Sequence, residues 1–263
     1  MSMEIEIKNK DRYQNSLTSY VNRLKERSNP EKLEELSKMR DISIETLEQA
    51  DIFYIGSMVE MLLPDYLDVI GNLGVISETN KKPIFNERWV IPIKDINGKV
   101  QNLVGYSNKA DERYIYGNSR YYRRRDTLYG LENLAMAYEL GYAVLTEGIT
   151  DTLRLRSMGI LNSFANCGTH KSDWSIQLLN RCRYGVIKIP DRDSAGKKAE
   201  KQWNFYKSIT IHTDIRYKDC DEMLRGNAEN QKLFMDVFNP CVSKITSIEH
   251  KGMNCGNETI TIV

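Results

Sequence analysis

The stretch "IKIPDRDSAGKKAEKQW", residues 187–203, places two carboxylates, Asp191 and Asp193, directly after a short apolar run and just before a lysine-rich segment. Carboxylates this close together raise each other's pKa and destabilise the fold unless a cation lies between them. Two interpretations follow. The pair is either solvated in a loop, or it holds a divalent metal ion.

The chain around this pair alternates between strand patterns and helix patterns. The strand patterns are "YAVLTEG", "ILNSFANCG", "YGVIKIPDRD" and "SITIHTDI", and between them lie the helical patterns "TDTLRLRSMG", "SDWSIQLLNRC" and "SAGKKAEKQWNFY". This alternation predicts βαβ units and a parallel sheet flanked by helices. In such a sheet, ligands bind at the carboxyl ends of the strands.

The first half of the chain has a different pattern. Residues 11 to about 70 are predicted to be helical, with Pro30 in a first turn and Ser43 as a candidate N-cap. The segment "RWVIPIKDINGKVQNLVGYS" has two apolar runs around an Asn-Gly pair, which predicts a hairpin. The fold class is therefore α/β with an N-terminal α+β part. The final residues, "SKITSIEHKGMNCGNETITIV", have a weak strand-like pattern whose place in the fold the sequence does not give.

Acidic residues follow three of the predicted strands. They are Glu147, then Asp191 with Asp193, then Asp219 with Asp221. Because the strand ends of a parallel sheet meet at one crevice, these groups are predicted to converge. Hard oxygen ligands suit Mg²⁺ or Mn²⁺, although a single Asp-x-Asp pair is more commonly just solvated.

Composition excludes several classes of protein. The 263 residues are 41% hydrophobic and 28% charged, with a net charge of +1, as in an ordinary globular protein. The sequence has no apolar run long enough to span a bilayer and no signal-peptide core, so we expect a cytoplasmic protein without membrane contact. The cysteines form no C-x-x-C pair, which argues against zinc; they are Cys167, Cys182, Cys220, Cys241 and Cys255.

An Arg-Tyr-rich segment, "RYIYGNSRYYRRR" (residues 113–125), is a candidate single-strand track. Arginine binds phosphates and tyrosine stacks on bases, although the segment could equally be a solvated charged face. Lys197 and Lys201 lie one helical turn apart after the Asp pair. They could neutralise phosphate or simply be solvated.

The segments "LTEGITDTLRL", "KIPDRDSAGKKA" and "YKDCDEML", in that order, resemble the toprim domain of topoisomerases and DnaG-type primases. The segments "MRDISIETLEQADIFYIG", "RWVIPIKDINGKVQNLVGYSNK" and "RYIYGNSRYYRRRDTLYGL" resemble the N-terminal part of the bacterial primase catalytic core. Together the resemblance covers roughly residues 35 to 225. It implies an N-terminal α+β subdomain at 1–138, a toprim catalytic domain at 139–228, and an extension of unassigned role at 229–263. Cys220 departs from the family pattern, which has proline there.

The resemblance also assigns residues. It makes Glu147 the catalytic glutamate and Asp191 with Asp193 the metal-binding pair. It implies two bound divalent ions, either Mg²⁺ or Mn²⁺. The implied metal-binding positions are Glu147, Asp151, Asp191, Asp193, Asp219 and Asp221. The implied template and nucleotide contacts are Lys109, Arg113, Tyr114, Arg123, Arg124 and Lys218.

The implied activity is that of a DNA primase, which joins ribonucleoside triphosphates into short primers on single-stranded DNA. Glu147 would activate the attacking hydroxyl or hold a metal, and the sequence does not separate these roles. A toprim nuclease and a non-catalytic replication accessory remain as alternatives. The resemblance leads us to expect a bare catalytic core, of phage or plasmid origin and hence in a host cytoplasm. We expect it to rely on a replicative helicase or single-strand-binding protein.

Overall fold

The computed structural model describes residues 3–74, 84–118, 121–122, 127–167, 173–247 and 258–262. The chain folds into two compact units, residues 1–123 and 124–263. No helix in the described ranges is long and apolar enough to cross a membrane.

The first unit is a four-stranded antiparallel sheet with helices packed on it. Its helices are α1 (Met3–Arg27), α2 (Pro30–Arg40), α3 (Ile44–Gln49), α4 (Met58–Met61) and α5 (Leu67–Leu73). Its strands, in sheet order, are β1 (Phe53–Ile55), β2 (Arg88–Lys94), β3 (Val100–Tyr106) and β4 (Tyr114–Tyr116). The predicted hairpin is confirmed as β2–β3. The predicted N-cap Ser43 is also confirmed, since its side chain accepts a hydrogen bond from the Thr46 amide.

The core of this unit lies between α1 and the sheet. Leu17, Tyr20 and Val21 on one face of α1 are buried in the same cluster as Val90 of β2 and Leu103 of β3. Residues spaced three and four apart share a helix face, which is why a single stripe of α1 covers the sheet.

The second unit is a six-stranded, mainly parallel sheet. Its helices are α6 (Leu134–Leu140), α7 (Ile149–Ser157), α8 (Asp173–Leu179), α9 (Ser194–Gln202), α10 (Cys220–Leu224) and α11 (Ala228–Ser247). Its strands are β5 (Leu128–Tyr129), β6 (Tyr142–Thr146), β7 (Ser163–Asn166), β8 (Gly185–Ile189), β9 (Ser208–His212) and β10 (Glu258–Thr261), in the order β10-β9-β8-β6-β7-β5. The predicted alternation of strands and helices is confirmed from β6 to β9. Only β5 runs antiparallel to its neighbour among the strands described in this sheet.

Both faces of this sheet are covered. On one face Val144, Ile187 and Ile209 pack in the same cluster as Phe234 and Phe238 of α11. On the other face Leu145 and Val186 are buried with residues of α6, α8 and the segment after α9. Burial on both faces is typical of parallel strands and accounts for their continuous apolar runs.

The unit boundary lies upstream of the predicted domain boundary at 138/139. Residues 128–140 belong to the second unit because β5 pairs with β7 and α6 packs beside β6. The segment 229–263 also belongs to it, since α11 covers one face of the sheet and β10 pairs in parallel with β9.

Asp51 links three elements of the first unit. It precedes β1 in a left-handed backbone conformation, with φ of 57°. Its carboxylate forms ion pairs with Lys25 of α1 and with Lys94 at the end of β2, where Nζ lies 2.6 Å from Oδ2. Partial burial acts to raise the pKa of Asp51, but the two lysines outweigh it and hold that pKa below its ordinary value.

We expect Asp51→Asn to lower the free energy of unfolding at pH 7 by about 1–2 kcal/mol, because the mostly buried Lys94 loses its partner. Asparagine tolerates the left-handed conformation, so the variant isolates the charge. Since the folded pKa is depressed, the stabilisation exists above the unfolded pKa of about 3.9 and is lost as pH falls through the folded pKa. Urea unfolding at pH 7 and pH 3 measures this.

The matched control is Glu34→Gln, which breaks the exposed Lys38–Glu34 pair on α2. This change should alter the free energy of unfolding by no more than about 0.5 kcal/mol. An Asp51→Asn deficit that is equally large at pH 3 would show that the charge is not its cause.

Candidate active site

The acidic groups predicted to converge are positioned by three neighbouring parallel strands. Strand β6 pairs with β8, with Thr146 opposite Ile189, and β8 pairs with β9. The loops that follow these strands therefore leave the same edge of the sheet. Glu147 follows β6 directly, and its Oε1 accepts a hydrogen bond of 3.0 Å from the Asp191 amide in the loop after β8.

Asp193 has two contacts that fix its position. It is the N-cap of α9, where Oδ1 accepts a hydrogen bond of 2.8 Å from the Gly196 amide. Its Oδ2 lies 3.4 Å from Nζ of Lys218 in the loop after β9. A Cβ at Gly196 would lie 2.2 Å from the Asp191 carbonyl oxygen, so only glycine allows α9 to begin this close to the loop.

The loop after β9 is held against the loop after β8. The Arg192 amide donates to the Lys218 carbonyl at 2.7 Å, and the Arg192 guanidinium donates to the Thr213 carbonyl at 2.8 Å. Asp219 then caps α10 by accepting a hydrogen bond of 2.7 Å from the Glu222 amide. The structure thus brings Glu147, Asp191, Asp193, Lys218 and Asp219 together.

The electrostatics of this edge are those of crowded carboxylates. Burial, together with the charges of Glu147 and Asp219, raises the pKa of Asp191 to about 8. Burial raises the pKa of Asp219 as well, against the opposing hydrogen bond from the Glu222 amide. Partial burial disfavours the charged form of Lys218, but the neighbouring carboxylates, Asp191 and Asp193 first, outweigh it and raise the pKa of its amine. Lys218 therefore faces several carboxylates.

Asp221 differs from the other acidic residues. Its side chain is 2% exposed; Oδ1 lies 3.2 Å from an Arg154 nitrogen, and Oδ2 pairs with Arg225. Its own amide donates to Oδ1 of Asp151, which is itself buried. The resemblance assigned both carboxylates to metal binding, whereas the structure pairs Asp221 with two arginines: Arg154 of α7, which joins α10 to α7, and Arg225 at the end of α10 itself.

Sequence reasoning did not find Arg154 and Arg225. The available signal was weak: Arg154 stands between two leucines of the helical pattern "TLRLR", where a basic residue on the buried side of a helix requires a partner. The burial of Arg154 beside Asp221 follows only from the packing of α7 against α10, which the sequence pattern does not give.

The carboxylate cluster at this edge of the sheet suits a divalent ion that keeps several water ligands. Among the residues that the structure describes, no three acidic, His or Cys side chains form a ready-made ligand set. Mg²⁺ is usually bound by one or two carboxylates and completes its coordination with waters and substrate phosphates. Because the clustered oxygens are hard ligands and repel each other as ionised groups, the residues present fit such an ion.

The predicted template contacts that the structure describes lie in the first unit. Lys109 and Arg113 are exposed on the loop between β3 and β4, which is closed by a hydrogen bond of 2.9 Å from the Ser107 amide to the Arg113 carbonyl. Tyr114 is half-buried, with its ring centroid 5.1 Å from that of Tyr106. Arg123 and Arg124 lie outside the described residues.

The sequence is similar to one protein family and to several curated proteins. Residues 144–224 match the family described as Toprim-like. The chain is 34% identical over 179 residues to a DNA primase of Aquifex aeolicus, covering 64% of this chain and 36% of that protein. It is 31% identical over 156 residues to a DNA primase of Thermotoga maritima, covering 55% of this chain and 27% of that protein. The chain thus spans about a third of the length of these curated relatives.

Solved structures give the same result for the fold. The zinc-binding and RNA polymerase domains of Aquifex aeolicus primase align with a TM-score of 0.73 at 25% identity, covering 88% of this chain and 61% of that one. The DnaG primase catalytic domain bound to single-stranded DNA aligns with a TM-score of 0.71 at 18% identity, covering 92% and 84%. Residues 144–224 are thus similar to the Toprim-like family, and the chain as a whole is similar in fold to the catalytic core of DnaG-type primases.

We expect Asp221→Asn to destabilise the protein by about 3 kcal/mol, since it leaves the buried Arg154 without its counter-charge. The double variant Arg154→Met with Asp221→Leu should recover much of that loss, because it removes both buried charges together. Urea unfolding of the three proteins measures the difference. If Asp221→Asn unfolds like the parent but loses divalent-ion affinity, Asp221 is a ligand after all.

Proposed function

We propose that this chain synthesises short RNA primers on single-stranded DNA, as the polymerase core of a DnaG-type primase that uses Mg²⁺ or Mn²⁺. One observation carries the proposal: Glu147, Asp191, Asp193 and Asp219 converge at one edge of the sheet, with Lys218 beside them. The toprim-like segment and the relatives named DNA primase support the choice of nucleotidyl transfer over other metal-dependent chemistry.

In this proposal Glu147, Asp191, Asp193 and Asp219 hold the divalent ions. Bound ions of this kind lower the pKa of an attacking 3′-hydroxyl and stabilise the charge that develops on the phosphate during transfer. Glu147 is fixed by the Asp191 amide, so one of its carboxylate oxygens is already oriented. Asp221 is proposed to support the site through its buried ion pair with Arg154, and Asp151 by accepting a hydrogen bond from the Asp221 amide.

Lys218 is proposed to contact the triphosphate of the incoming nucleotide. Its ammonium lies 3.4 Å from Asp193 and is 57% exposed, so it can bind the carboxylate and a phosphate oxygen together. The positive charge would then remain at the edge when the substrate's negative charge arrives.

Lys109 and Arg113 are proposed to contact the template strand. Both are exposed on the β3–β4 loop and carry charges that bind phosphate without regard to sequence. Two such contacts give a modest, salt-sensitive affinity. A helicase or single-strand-binding protein would raise the local concentration of template and so assist the proposed activity.

We expect the double variant Asp191→Asn with Asp193→Asn to reduce primer synthesis at least about 100-fold, because it removes ligands of the catalytic ions. The fold should survive, since asparagine is as good an N-cap for α9 as aspartate. The assay combines single-stranded template, labelled ribonucleoside triphosphates and Mn²⁺, and circular dichroism checks folding.

The matched control is Asp236→Asn, an exposed carboxylate on α11 away from the strand ends, which should prime normally. Unchanged synthesis in the double variant would refute the metal assignment. A shortened template without primers in the parent protein would instead identify a nuclease, and neither product would indicate an accessory role.

We expect Lys109→Ala with Arg113→Ala to weaken single-strand binding and to reduce the salt slope by about 0.7 per lost phosphate contact. Fluorescence anisotropy of a labelled oligonucleotide at several salt concentrations measures both effects. The control is the double variant Lys10→Ala with Arg23→Ala, which removes two exposed positive charges from α1. An identical slope in parent and loop variant would exclude this loop as a template contact.

A further inference from the structure

The sheet of the second unit carries polar residues on the face that α9 covers. Lys188 of β8 is opposite Thr210 of β9, and alternate residues of a strand share a face, so His212 lies on the same side. Glu200 of α9 approaches from above, with Oε1 3.6 Å from Nε2 of His212. We call Lys188, His212, Lys197 and Glu200 the α9 cluster.

The α9 cluster contains a buried imidazole nitrogen without a hydrogen-bond partner in the described part of the chain, and a lysine beside it on the same face. Lys188 is 4% exposed, and burial lowers the pKa of its amine. The imidazole nitrogen is Nδ1 of His212. Buried polar groups are almost always satisfied, and an ammonium brings three donors. The unsatisfied imidazole nitrogen and the neighbouring ammonium together indicate that they bind something other than the protein.

The charge of the cluster identifies the class of ligand. Burial lowers the pKa of His212, Glu200 opposes this, and Arg192, Lys188 and Lys197 lower the pKa further. Three basic side chains and one carboxylate therefore act on the imidazole, which leaves an excess of positive charge. Burial lowers the pKa of Lys188, and a bound anion would oppose that effect. A compact dianion with several acceptor oxygens would neutralise the excess charge and accept hydrogen bonds from the imidazole and the ammonium.

The cluster is accessible from solvent. The side chains of His212 and Glu200 are 18% and 24% exposed, and Lys197 is exposed at the first turns of α9. Lys188 forms the buried floor. A small anion can therefore enter past His212, whereas a divalent cation would be repelled by the lysines.

We propose that the α9 cluster binds a phosphate-type oxyanion, either free phosphate or pyrophosphate or the terminal phosphates of a nucleotide. Lys188 donates to it from below and the protonated Nδ1 of His212 from the side. Glu200, with Oε1 3.6 Å from Nε2, attracts the protonated imidazole. Lys197 completes the neutralisation at the opening. The carboxylates of the active-site edge take no part, so this inference does not depend on the proposed polymerase activity.

The test is nuclear magnetic resonance of the histidine side chains, since the chain has three histidines and His212→Gln identifies the signal. Phosphate, pyrophosphate and ATP are titrated separately in the presence of EDTA, which excludes binding through metal ions. We expect a saturable shift of the His212 signal and a rise of its measured pKa on binding. Lys188→Met should weaken binding about tenfold or more.

The matched control is Lys198→Met, which removes an exposed lysine next to Lys197 and should bind like the parent. If Lys188→Met does not fold, Lys197→Met gives the comparison, with a several-fold weaker affinity expected. Saturation by phosphate or pyrophosphate supports a free oxyanion as the ligand, and saturation by ATP alone supports a nucleotide tail. No saturable shift with any of the three, or equal affinity in parent and Lys188→Met, would overturn the proposal.

Discussion

The parallel pairing of β6, β8 and β9 is the constraint on which the acidic edge depends. Parallel strands in register end at the same level, so the loops after them are brought together regardless of their separation in the chain. The hydrogen bond from the Asp191 amide to Glu147 and that from the Arg192 amide to the Lys218 carbonyl then fix three loops to one another. The carboxylates are thus held close by backbone geometry, although their charges oppose it.

Two carboxylates of the second unit, Asp221 and Asp191, have opposite electrostatic surroundings. Asp221 is buried with two arginines, which is how proteins stabilise an interior charge. Asp191 is also largely shielded from water, but its near neighbours are mostly further carboxylates, and its pKa rises accordingly. A buried carboxylate left among like charges is the arrangement found at functional sites, and it is the reason that we propose a metal-binding role for Asp191.

Much of this site could be predicted from residue order, and the rest could not, for physical reasons. Alternating patterns and acids at strand ends locate Glu147, Asp191, Asp193 and Asp219, because strand direction alone determines where they meet. The distinct role of Asp221 depends on Arg154, which lies 67 residues earlier in the chain. No local pattern connects the two residues, and their pairing becomes visible only when α7 and α10 are placed side by side. Strand β1 lies within the region that the sequence predicts to be helical, and this part of the prediction is wrong because three residues are too few to show a period of two.

Strand β10 has a consequence for how the chain reaches its folded state. It pairs with β9 from far along the sequence, with α10 and α11 between them. During synthesis the hydrogen-bonding groups along the outer side of β9 therefore stay unpaired until β10 has left the ribosome. An open strand edge of this kind can pair with another chain, so the interval between β9 and β10 is the period in which a nascent molecule is most exposed to aggregation.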